Sequence, residues 1–221
     1  MKRFPLFAFL RGAPGRGSAL AVLVPVLLAV SVPAFATSMT HQTIVDLIGL
    51  SERILVGRVA QVSDGFDDAG VPYTEITLDV SETVKGTPGP TYTFRQFGLT
   101  TPRSLGNGRR YLGVSPDGWP RFAEGETVVL FLYKPAARTG LRTTVGLLQG
   151  KFAERDGRVV NGIENDGLWK GVRVTESLLT PAEAKMVKKA RGPVATDTFL
   201  AFVRKAVKGR WIEKKELDHV K

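Results

Sequence analysis

Side chains that could do chemistry are scarce in this 221-residue chain. It has two histidines, His41 and His219, and no cysteine. That excludes a metal centre built from several imidazoles or thiolates, and the usual zinc-ligand spacings are missing. A Ser-His-Asp triad would have to draw on one of these two histidines, which stand near opposite ends of the chain, and no nucleophile elbow is present. Carboxylates are more plentiful: Asp64, Asp67 and Asp68 form one cluster, and Glu164 and Asp166 flank Asn165 in another. Loop oxygens of this kind can hold calcium, but neither run has the spacing of a calcium loop. Asp, Asn and Gly are ordinary turn formers, so turns are the expectation for both. Nothing points to the paired carboxylates of glycoside hydrolysis. No catalytic residue, metal or cofactor is expected.

The remaining chemistry is that of recognition. Between Gly98 and Gly125, Arg103, Arg109, Arg110 and Arg121 are interleaved with Tyr111, Trp119 and Phe122. Arginine and aromatic side chains are enriched at binding hot spots. The candidate binding residues are therefore Arg103, Arg109, Arg110, Tyr111, Trp119 and Arg121. The plainer alternative is that the aromatics tuck the loop onto the domain while the arginines are solvated. Single-stranded nucleic acid is the extreme case of an anionic partner, but the export signal described below argues against it, and no nucleic acid is expected.

These residues need elements to position them. The clearest is YTEITLDVSETVKG, Tyr73 to Gly86: Ile76, Leu78, Val80 and Val84 fall on even positions and polar residues on odd ones, the pattern of a half-buried antiparallel strand. Glu82 interrupts the apolar face. Ahead of it, Thr40 or Thr43 is a candidate N-cap for a short helix ending at Gly49. The β-branched run Arg53 to Val62 then forms a hairpin with the Tyr73 strand across a long acidic tip. Thr91 to Phe97 alternates with Tyr92 and Phe94 on one face. Gly98 to Gly125 is rich in Gly and Pro, and regular structure is not expected over most of it. ETVVLFLYK, Glu126 to Lys134, is apolar on both parities, as suits a central strand covered on both faces. Leu141 to Leu147 is expected as another strand, and Lys151 to Asn161 as a hairpin about Asp156-Gly157. Two helices follow, one capped by Thr180-Pro181 and one starting near Thr196-Asp197. The last dozen residues, dominated by charge, are expected to fray.

The N-terminus has the layout of a cleavable secretory signal: Lys2, Arg3, Arg11 and Arg16 without an acid, an apolar run from Ala19 to Val32, then Ala34-Phe35-Ala36. The run holds Pro25 and is shorter than the roughly 20 residues that span a bilayer. Cleavage after Ala36 would make Thr37 the new N-terminus and leave no membrane anchor. Losing these 36 residues removes four of the 31 basic residues and none of the 21 acidic ones, so the net charge falls from +10 to +6. The protein is expected to be exported, periplasmic or secreted. Without cysteine, its stability must come from packing.

With ILVGRV, ETVKG, GETVVLFL and VGLLQGKF in this order, the stretch from Ile44 to Phe152 resembles a group of uncharacterised exported bacterial proteins. The succession ILVGRV, YTEITLDVSETVKG and TYTF also resembles, more distantly, the netrin-like OB barrel of tissue inhibitors of metalloproteases. Those inhibitors place an N-terminal cysteine at the protease zinc. This chain has none, so no inhibitory residue carries over. What the resemblance implies is a fold: mainly β, a small OB-like Greek-key barrel over 37–175, preceded by a short helix and followed by a helical pair at 176–210 and a charged tail at 211–221. The function expected is that of an exported, non-enzymatic binding domain contacting a protein partner in the envelope or outside the cell through 98–122, with protease inhibition as one form. The alternative is an envelope enzyme or an anionic-polymer binder using the same loop.

Overall fold

The computed structural model describes residues 40–105 and 107–220. The segment expected to be a signal peptide, 1–36, and the expected cleavage residues Ala34, Ala36 and Thr37 lie outside the described residues. Helix α1, Ile44–Leu50, opens the domain. Thr43 caps it in a capping box with Asp46, while Ile44, Val45, Leu47 and Ile48 are buried. Strands β1 (Arg53–Phe66) and β2 (Pro72–Lys85) form a long antiparallel hairpin, and β3 (Thr91–Phe97) pairs with β2. The connection after β3 carries a separate small ladder of β4 (Arg103–Ser104) and β5 (Arg110–Tyr111). The chain then returns as β6 (Thr127–Leu132) on the far side of β1, giving the order β6-β1-β2-β3 of a Greek key. Strands β7 (Lys151–Arg155), β8 (Arg158–Asn161) and β10 (Val194–Ala195) extend the sheet beyond β6 to seven antiparallel strands.

The expected barrel does not close. Among the described residues β3 and β10 are the two ends of the sheet, with no ladder joining them. The fold is mainly β, an open antiparallel sheet with helices packed on one side. β3 is nonetheless not bare, since Arg142 N donates to Arg95 O at 2.8 Å and Ser115 Oγ to Phe97 O at 3.1 Å.

The two faces of the sheet bury separate apolar clusters. β6 serves both: Val129 and Phe131 face the helices, while Val128, Leu130 and Leu132 join Leu55, Ile76, Leu78 and Phe94 on the other side. That is why its sequence is apolar at every position. The alternation expected of β2 holds for Ile76 and Leu78, both fully buried. Their wet neighbours make a cross-strand ladder, Thr77 with Thr93 at 2.9 Å and Glu75 with Arg95 at 2.6 Å. Register shifts near Gly57 then turn the end of β2 over, so Val84 packs against the helix-side cluster instead. Glu82 on that turned end forms a two-pronged ion pair with Arg204, both oxygens at 2.6 Å. At the crossing itself a Cβ on Gly57 would stand 2.4 Å from Asp79 O, so only glycine lets the strands approach.

Two short elements follow β8: β9 (Val172–Val174) and helix α2 (Pro181–Met186). Thr180 caps α2 in a second capping box. Its backbone N and Oγ1 donate to Glu183 Oε2 at 2.8 and 3.0 Å, and Lys205 Nζ reaches the same oxygen at 2.5 Å. Helix α3 (Thr196–Gly209) buries Phe199, Phe202 and Val203, and Phe199 meets Phe131 edge-on and Phe152 at a tilt. The Asp156-Gly157 hairpin forms as expected, both residues at positive φ.

Two expectations need correction. Leu141 to Leu147 is not a strand: apart from an isolated bridge of Thr144 to Leu132, its backbone bonds scatter to Arg95, Phe131 and Tyr133. The tail from Arg210 to Val220 does not fray, because Trp211 and Leu217 are buried and β11 (Leu217–His219) pairs with β9. Helices α2 and α3 share one apolar cluster with β6, β7 and β8.

Candidate functional site

The loop from Gly98 to Gly125 divides into a fastened base and an exposed tip. Asp64, near the end of β1, anchors the base. Its Oδ2 accepts from Thr100 N at 2.7 Å and Thr100 Oγ1 at 2.6 Å, and its Oδ1 is ion-paired with Arg103. Partial burial pushes the Asp64 carboxyl pKa up, but the Thr100 hydrogen bonds and the Arg103 charge outweigh it and hold it below the ordinary carboxylate value. The Arg103 guanidinium also sits 5.6 Å from the Phe66 ring, against whose other contact, Tyr111, the ring packs edge-on at 4.9 Å. Leu99 and Val114 form a parallel bridge, and Leu99 N and O bond to Gly113 O and Ser115 N. Further along, Trp119 packs on Phe97 and Phe122 on Phe94, while Gln96 Nε2 donates to Pro120 O at 2.9 Å.

The six candidate residues therefore separate. Arg103, Tyr111 and Trp119 hold the loop down. Arg109, Arg110 and Arg121 are exposed, and among the described residues none of them makes an ion pair. Two exposed leucines were missed by sequence reasoning: Leu105 at the turn is 37% exposed and Leu112, just past β5, 70%, although each looks like an ordinary core residue in sequence. Arg121 also lines a small cavity of about 190 Å³ with Thr100, Ser115 and Gln96, whose buried amide oxygen has no partner among the described residues.

Of the acidic clusters, Asp67 closes the β1–β2 tip by accepting from Ala69 N and Val71 N, and Glu164 and Asn165 adopt positive φ in a turn. Among the described residues no three His, Cys, Asp or Glu side chains gather as a metal site. His41 is exposed, and His219 Nε2 lies 3.1 Å from Asp46 Oδ1. No helix among the described residues is long and apolar enough to cross a membrane. Compared with known proteins, the chain matches no family model, no curated protein and no solved structure.

Proposed function

We propose that this chain is an exported, non-enzymatic binding domain that grips a protein partner with the tip of the 98–122 loop. One observation carries the reading: exposed Leu105 and Leu112 bracket exposed Arg109 and Arg110 on a hairpin whose base is tied to β1 by Asp64 and Phe66. Large apolar side chains left in water next to unpaired arginines suit an interface. A tip already ordered by its base loses little conformational freedom on docking. Export rests on the charge, apolar and small-residue layout of residues 1–36. The finer fold assignment, an OB-like arrangement, is supported by the Greek-key order, by β1 pairing with both β2 and β6, and by Phe122 closing the inner cluster. Protease inhibition is one form this binding would take.

The test is a photo-crosslinking residue at position 112, compared with one at Arg138 on a different loop, in cells that express the protein. A discrete partner should crosslink at 112 alone, and Arg109→Ala with Arg110→Ala should abolish it. Equal crosslinking from both positions, or no effect of the double substitution, refutes the reading. Binding that collapses steeply with salt would favour the anionic-polymer alternative, for which the three unpaired arginines are the support.

A further inference from the structure

Two neighbouring cavities open beside α2, away from the elements that hold the loop. One, of about 410 Å³, is lined by His41, Gly167 and Lys170 among others; the second, of about 520 Å³, by Val172, Arg173 and Leu179 among others. Trp169, Val187 and Lys188 line both, so the two are successive parts of one groove. Each lies within the range of small-molecule sites, about 300–1,000 Å³.

The groove has an apolar floor and a cationic rim. Trp169 is buried to 8% exposure and its indole N–H finds no acceptor among the described residues. Val220, one of four large apolar side chains left exposed among the described residues, lines the second cavity. Around the floor stand Lys170, Arg173, Lys188 and Lys189 against Asp166 and Glu176. Lys189 is occupied, donating to Pro193 O at 2.5 Å. Lys170, Arg173 and Lys188 are exposed and make no ion pair among the described residues. Unpaired cations beside a wet apolar floor are what an amphipathic anion complements. Lysine ammoniums are compact point charges with three rotatable donors, which pair with a single carboxylate head without a fixed bidentate geometry. The second cavity, walled mainly by aliphatic side chains such as Val172, Val174, Leu179 and Val187, continues from the cationic first one and suits a linear tail.

We propose that this groove binds a free medium-chain acyl carboxylate, its head between Lys170 and Lys188 and its tail along Trp169, Val187 and Leu179. The site is independent of the loop proposed above, so the Arg109→Ala, Arg110→Ala protein should keep it.

The test is calorimetric titration of the purified protein with sodium decanoate below its micelle concentration, with decanol and decyltrimethylammonium as controls of equal chain length. The Trp169 indole N–H resonance is followed in parallel. Saturable one-to-one binding of decanoate is expected, at least tenfold tighter than either control, with the Trp169 resonance shifting. Lys188→Glu should weaken it at least tenfold with an unchanged thermal midpoint, and Lys170→Glu should weaken it as well. Equal affinity for decanol, full affinity in both charge-reversed proteins, an unmoved Trp169 resonance, or binding to phosphatidylglycerol vesicles without binding of decanoate would each overturn the assignment.

Discussion

Replacing Glu183 should cost more than its place on a six-residue helix suggests. The residue is 1% exposed, and a single oxygen of its carboxylate accepts from Thr180 N, Thr180 Oγ1 and Lys205 Nζ. Burial pushes its pKa up, yet the Lys205 and Thr180 bonds outweigh that and hold the carboxyl below its ordinary 4.5. Glu183→Ala loses half of the capping box, about 1 kcal/mol, and a charge-assisted bond, about 1.5–3 kcal/mol. Lys205 is 37% exposed and keeps its bond to Leu178 O, so solvent offsets part of the second term. A loss of about 3 kcal/mol follows, or roughly 6–12 °C in Tm for a domain of this size. Glu183→Gln keeps an oxygen for Thr180 and loses only the charge, which should cost about 1–2 kcal/mol. Because the folded-state pKa is depressed, the charge contributes in full above the unfolded value and is lost as pH falls through the folded one. Urea unfolding of the parent and the Gln variant should therefore differ at neutral pH and converge in acid. A gap that persists unchanged into acid, or an Ala variant as stable as its parent, would refute the argument.

Three further outcomes are expected. Gly57→Ala forces a methyl onto Asp79 O and should destabilise by about 1–3 kcal/mol or more in thermal unfolding, whereas Gly70→Ala, at an open turn with nothing within 4 Å, should cost about 1 kcal/mol. Asp64→Ala unties Thr100 and Arg103, so amide protection across 99–114, relative to intrinsic exchange at the same pH, should fall while the β1–β6 ladder stays protected; in the parent the same loss of protection should appear as pH drops through the depressed Asp64 pKa. Trp211→Ala should lower stability by roughly 3–5 kcal/mol by denaturant titration, because its ring packs on Phe202 at 5.5 Å; a neutral effect would restore the frayed tail.

Where one physical signal dominated a segment, the sequence was legible. The period of two in β2 and the unbroken apolar run of β6 announced one-sided and two-sided burial, and Thr180-Pro181 announced a helix start. What the pattern could not carry was bulges and distant partners. A register shift beside Gly57 reassigns Val84 to the other cluster without any change of sequence parity. Glu82 reads as a defect because Arg204 lies 122 positions away, and Arg103 reads as a free cation because Asp64 lies 39 away. In the tail, five charged residues between Trp211 and His219 masked the buried Trp211 and Leu217. The groove beside α2 is assembled from segments with no shared motif, and only the adjacent pairs Trp169-Lys170 and Lys188-Lys189 hint at it.

An open sheet offers its last strand to any chain that drifts by. Here the backbone of Arg142 and the hydroxyl of Ser115 already occupy the carbonyls of Arg95 and Phe97, and the opposite border is only two residues long. A second copy would find those two carbonyls taken and only a short border opposite, so part of the edge protection that a closed barrel supplies is present without closure.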